Sequence, residues 1–204
     1  MSNPQLDLLI SRLPALEPSA SAILQAFKTT RDCIRAGGKI LICGNGGSAA
    51  DAEHWAGELL KGFKSKRPLN AEMRAKLPPE LAEKLQGAIP MIPLTGFISL
   101  STAFANDVDP QLIFAQLVYG LGKPGDVLIG ISTSGNATNV CSAFEVADAL
   151  GLITIALTGE TGGKLKALSK ITIHAPATET YLIQELHLPI YHCLCLMLED
   201  EFFG

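Results

Sequence analysis

Two stretches of this sequence carry imidazoles and carboxylates at spacings suited to proton transfer or metal binding. His54 and Glu58 stand four apart in a helical pattern, so they share one face. Near the end of the chain, Gln184, Glu185, His187 and His192 interrupt a helical stretch that is otherwise apolar from Leu182 to Leu198. Buried polar groups need partners, which makes these four the informative exceptions on that helix. His54, Glu58 and His192 suit either a divalent metal site or a base and acid pair, and spacing alone does not separate the two. A satisfied core histidine is the plainer use of any one of them.

Two further segments have the makings of a phosphate site. Gly44, Asn45, Gly46, Gly47 and Ser48 directly follow a strand-like run and directly precede a helix. Backbone N–H groups at such a junction attract anions. The segment is not a nucleotide loop: it has no G-x-x-x-x-G-K, and Ala49 stands at the third glycine of the dinucleotide pattern. Ser132, Thr133, Ser134, Gly135 and Asn136 repeat the arrangement, and three hydroxyls there can serve three phosphate oxygens, or cap a helix. Side by side, the two loops would form a phosphate cup. Residues 158–163 look similar but read as turn chemistry, and Asn106 with Asp107 reads as a loop before a helix.

Positioning these groups requires a layered domain. Short apolar runs at 39–43, 91–94, 127–131, 152–157 and 171–173 suit strands buried on both faces of a parallel sheet. Helical patterns at 49–63, 111–120, 136–150 and 180–203 alternate with them, which predicts a doubly wound, three-layer α/β fold. Residues 1–37 read as an N-terminal helical arm closed by Gly37 and Gly38, and 69–89 as a surface helical insertion split by Pro78 and Pro79. The final helix is apolar nearly all round, which calls for burial in a core or in a homo-oligomer.

Composition narrows the function. With 204 residues, 48% of them hydrophobic and 18% charged, the chain is expected to form one domain that needs no staple. Its 16 basic and 20 acidic residues leave no basic face for nucleic acid. Cys33, Cys43, Cys141, Cys193 and Cys195 are odd in number and form no C-x-x-C pair, in keeping with a reducing cytoplasmic setting. Neither a signal peptide nor a membrane span is expected.

Taken together, the residues at 43–48, His54, Glu58, 105–107, 125–136, 157–159, 183–187 and His192 resemble the sugar isomerase (SIS) family, and within it the phosphoheptose isomerases. The resemblance runs over nearly the whole chain. It implies a five-stranded parallel sheet, a homotetramer with sites between subunits, and aldose–ketose isomerisation of sedoheptulose 7-phosphate through an enediol. By position, it places phosphate on Ser48, Ser132, Thr133 and Ser134, with Gly46, Gly47, Asn106 and Asn136 beside it. Asn45, Asp107 and Gln184 would hold substrate hydroxyls, Glu58 would be the general base and His192 the general acid. It also implies one zinc on His54, Glu58, Gln184 and His192. The sequence departs from the family at Ala137, where a serine is usual, at Leu182, where arginine is common, and in the length of 69–89. The alternatives are a non-catalytic SIS scaffold or an SIS isomerase for another sugar phosphate.

Overall fold

The computed structural model describes residues 3–204. After α1 (Pro4–Arg12) and α2 (Ala20–Arg35) the chain alternates: β1 (Ile40–Gly44), α3 (Gly47–Leu60), α4 (Ala71–Lys76), α5 (Pro79–Lys84), β2 (Met91–Pro93), α6 (Ile98–Asp107) and α7 (Ile113–Leu121). There follow β3 (Val127–Ser132), α8 (Thr138–Ala149), β4 (Ile153–Thr158), α9 (Leu165–Leu168), β5 (Ile171–His174) and α10 (Thr180–Phe203). The strands form one parallel sheet in the order β2-β1-β3-β4-β5.

Each expected strand is present, with ends shifted by a residue or two. The run of apolar residues in β1 divides by pleat. Ile40 and Ile42 join a core with residues of α2, α3 and α10, while Leu41 and Cys43 join a second core with α7 and α8. Both faces are thus covered, as continuous apolar strands require. Strand order reverses between β1 and β3, so their carboxyl ends open the crevice in which ligands of open α/β sheets bind.

The helices differ more from expectation. α6 contains no buried residue, and Ile98 is 74% exposed. A helix that buries no stripe leaves no periodicity to read, so Asn106 and Asp107 close a helix where the sequence suggested a loop. α10 does bury Ile183, Ile190, Tyr191, Leu194 and Leu198, yet Leu182 and Leu188 remain 39% exposed. Within 69–89, two short helices flank Pro78, and Gly87 N–H donates to the Arg67 carbonyl at 2.7 Å to close the excursion. Among the described residues, no helix is long and apolar enough to cross a membrane.

Candidate active site

The two glycine-containing loops lie next to each other because β1 and β3 pair, with Gly44 opposite Ile131. Asn45 and Asn139 join the loop after β1 to α8 through two reciprocal amide hydrogen bonds of 2.9 Å each. Ser48 is buried in the first turn of α3, and Ser132 at the end of β3. Gly135, at φ +66, crosses the next loop so tightly that a Cβ would lie 2.0 Å from the Gly162 carbonyl oxygen. Residues 158–163 are therefore a brace: Gly159 N–H donates to the Thr133 carbonyl at 2.9 Å, and Lys164 N–H donates to Asn136 Oδ1 at 3.0 Å. Asn136 is in part a staple for its own loop, while Ser134 is exposed. A shallow cleft beside these loops is lined by Gly44, Asn45, Gly46, Thr95, Ser101 and Asn139.

α3 and α10 pack together and bring the remaining candidates close. At one end Gln184 lies over Gly47, where a Cβ would meet its amide nitrogen at 2.3 Å. Two turns further on, the His54 and His192 rings are 5.3 Å apart and nearly perpendicular. His54 Nε2 is 3.2 Å from Glu58 Oε1, and Lys61 Nζ donates to the other Glu58 oxygen at 2.8 Å. Burial works to raise the Glu58 carboxyl, but Lys61 and then His54 outweigh it and hold it below the usual range. His192 is pushed down by burial and by His54, against Glu58, so it is neutral at neutral pH; its Nε2 is buried without a partner. Tyr191, fully buried, sits between the helices with its hydroxyl 2.9 Å from His54 Nδ1, and donates to Asp51 Oδ1 at 3.3 Å.

Three candidates stand apart. Asn106 and Asp107 are exposed and bonded to each other at 2.8 Å, with no hydrogen bond to either loop among the described residues. His187 is a core residue: its Nε2 lies 3.3 Å from the Thr158 carbonyl oxygen, and burial lowers it to about 4. Among the described residues, no three His, Cys, Asp or Glu side chains already converge on one metal position. A larger, mostly apolar cavity between α1 and α10 reaches His192 from behind, away from the strand ends.

Sequence reasoning missed Lys61, Asn139, Asp51, Tyr191 and the buried pair of Arg67 and Glu199. Lys61 was detectable as a charge three residues after Glu58 on a helix. Tyr191 was not, because an aromatic on an apolar helix gives no sign of its hydroxyl's partners. Glu199 accepts from the backbone N–H of Phe63, Lys64 and Ser65 and from Arg67 Nε, while Arg67 donates to the carbonyls of Leu59 and Glu58. Phe63 in turn rests on the His192 ring at 5.1 Å.

The five-stranded parallel sheet sets two glycine-containing loops at the switch point with an imidazole–carboxylate cluster beside them, the architecture of an α/β domain with its candidate site at the strand ends; the SIS domain family matches residues 8–159. Phosphoheptose isomerase from Akkermansia muciniphila is 38% identical over 93% of this chain and 90% of its own length. The Desulfovibrio desulfuricans phosphoheptose isomerase is 41% identical over 84% and 72%. The structure of phosphoheptose isomerase from Neisseria gonorrhoeae superposes with a TM-score of 0.77 at 34% identity, covering 93% of this chain and 91% of that one. The chain belongs to the SIS family and, within it, to the phosphoheptose isomerases.

Proposed function

We propose that the protein interconverts sedoheptulose 7-phosphate and D-glycero-D-manno-heptose 7-phosphate through an enediol. One observation carries this: Glu58, ionised and flanked by His54 and His192, lies on the helix that begins at the first anion loop. Glu58 takes the proton from C1 of the ketose and returns it at C2 of the enediol, giving the aldose. His192, neutral and adjacent, moves the proton between the two oxygens. Ser48, Ser132, Thr133 and Ser134, with nearby backbone N–H groups, hold the phosphate remotely, so that its binding energy orients the reacting carbons. Asn45, Gln184 and Asp107 hold hydroxyls in this reading, Asp107 from a helix end that lies outside the cluster.

We also read the cluster as the place for one zinc ion. Two imidazoles bound tetrahedrally at about 2.0–2.1 Å would have ring centroids about 5 Å apart. His54 and His192 are 5.3 Å apart, and the orphaned Nε2 of His192 lacks a partner that an ion would supply. His54, Glu58 and His192 would hold the ion, with Gln184 as fourth donor by family likeness. When bound, it would stabilise negative charge on the enediolate oxygens. We also read the working form as a cytoplasmic homotetramer, a reading supported by the open Leu182 and Leu188 and the uncovered α6.

The test is isomerisation of sedoheptulose 7-phosphate by the purified protein, before and after chelation and with zinc restored. Turnover lost on chelation and regained with zinc is expected. Saturable sugar-phosphate binding without turnover under every condition would overturn the catalytic reading in favour of a scaffold.

A further inference from the structure

His187 does more than fill the core. Its ring is fully buried on α10, with Nε2 3.3 Å from the Thr158 carbonyl oxygen and Nδ1 buried without a partner. A carbonyl only accepts, so Nε2 is the donor. That carbonyl already accepts from Ala175 N–H at 2.8 Å, so the end of β4 is satisfied without the imidazole. An aliphatic side chain would fill the same space and orphan no nitrogen. Neither packing nor backbone pairing therefore accounts for a histidine at this position.

The effect of this bond runs along the peptide it reaches. In a trans peptide the C=O and N–H point in opposite directions. The Thr158–Gly159 peptide gives its oxygen to His187 and its N–H to the Thr133 carbonyl, at 2.9 Å. The Thr133–Ser134 peptide thus has its oxygen turned to the brace, and its own N–H, on Ser134, points the other way. Two peptide planes in series link α10 to that N–H. The fit is close: a Cβ on Gly159 would lie 2.5 Å from Ile183 Cδ1 and 2.8 Å from the Thr133 carbonyl oxygen, so the linking peptide is held between α10 and the loop. Further along, Leu165 N–H pins the Gly135 carbonyl at 3.0 Å.

We infer that His187 is a positioning residue for the phosphate loop: through the Thr158–Gly159 and Thr133–Ser134 peptides it holds the Ser134 N–H in place to donate to a phosphate oxygen. The inference rests on the phosphate reading of Ser132, Thr133 and Ser134 given above. Hydrogen bonds in series also polarise one another, by about 10–30% per bond, so donation from His187 strengthens the N–H at the far end. The histidine acts from the core, through the main chain alone.

The probe is inorganic phosphate, titrated into ¹⁵N-labelled protein and followed by amide NMR, with steady-state kinetics alongside. Glutamine and methionine are close in shape and only the first can donate, so His187→Gln is set against His187→Met. His187→Met is expected to bind phosphate about 2- to 10-fold more weakly than wild type, the worth of one hydrogen bond, and His187→Gln to bind as wild type does. KM for the sugar phosphate should rise in step while kcat holds, whereas a merely structural loss would lower kcat through the folded fraction. Equal phosphate affinity in all three proteins, or a fall in kcat at constant KM, would overturn the inference and leave the phosphate reading standing. The wild type supplies a check that needs no variant: phosphate should move the Ser134 and Gly159 amide protons downfield together. Movement at Ser134 alone would overturn the inference; movement at neither would overturn the phosphate reading of this loop and the inference with it.

Discussion

Replacing Arg67 with methionine should unfold the end of α3 and much of the site with it. The guanidinium is fully buried and makes three hydrogen bonds, to Glu199 Oε1 at 2.7 Å, the Leu59 carbonyl at 2.8 Å and the Glu58 carbonyl at 3.2 Å. Its removal strands Glu199, 2% exposed, although three backbone N–H donors remain around that carboxylate. Breaking a buried pair from one side costs about 3–5 kcal/mol, and the surviving donors put Arg67→Met near 3. Glu199→Ala belongs near 5, since it leaves all three N–H groups without their acceptor and the buried guanidinium with carbonyl partners only. With an m-value of about 2 kcal/mol/M, 3 kcal/mol lowers a urea midpoint by about 1.5 M. Arg67→Lys, which keeps the charge but not the planar fork, should fall between wild type and Arg67→Met. Urea unfolding followed by circular dichroism checks this, and the double variant gives the coupling between the two residues. Midpoint shifts under about 0.5 M for both single variants, at unchanged m, would show that the pair does not clamp the loop.

Glu58→Gln should lower kcat by about 10²- to 10⁴-fold while sugar-phosphate binding is retained, because the amide keeps the shape but accepts no proton; steady-state kinetics with a binding titration checks both halves. Ala137 occupies the N-cap of α8 with no side-chain capping bond, so Ala137→Ser should raise stability by about 1 kcal/mol, seen as a higher melting temperature. His187 is held down to about 4 against an ordinary 6.5, so the unfolded chain takes up its proton first on acidification. Stability is therefore full above 6.5 and falls as pH drops towards 4, by at most about 1.4 kcal/mol per pH unit. His187→Gln, which can still donate to the Thr158 carbonyl, should flatten that slope in unfolding curves taken across the window.

The sheet was legible because every strand of a parallel sheet is buried on both faces and so reads as an unbroken apolar run. Both glycine-containing loops were legible for a related reason: glycines and hydroxyls directly after such runs mark the turns that join strand to helix. α6 was not, since a helix that buries nothing carries no pattern. The site divides along the same line. His54 and Glu58 share a helix, and their spacing states their proximity. That His192 completes the cluster while His187 does not depends on which side of α10 meets α3: His187 turns to the Thr158 carbonyl, and His192 to the His54 ring. The two stand five positions apart on one helix, and only packing distinguishes them.

Glu58 lies in the last turn of α3, a poor location for a group that must be held still. Helix ends fray, and their last carbonyls need partners. α3 stops at Lys61 in an extended conformation with no capping bond of its own and no glycine to turn the chain. The carbonyls of Glu58 and Leu59 are instead taken by the Arg67 guanidinium, nine and eight residues on, with Ile89 N–H also donating to the Leu59 carbonyl at 2.9 Å. Glu199 then ties Arg67 and the intervening loop to α10, the helix that carries His192. A turn earlier, Tyr191 joins the same two helices through Asp51 and His54. The final two turns of α3 are thus gripped from both sides by α10, and His54, Glu58 and His192 lie on the gripped segment or next to it, while Gln184 lies at the other end of α3, over Gly47. A burial-driven fold would be served by apolar contacts at these positions. The charged and hydroxyl groups found there, Arg67, Glu199, Asp51 and Tyr191, fix distances between side chains, which is what proton transfer at a bound sugar requires.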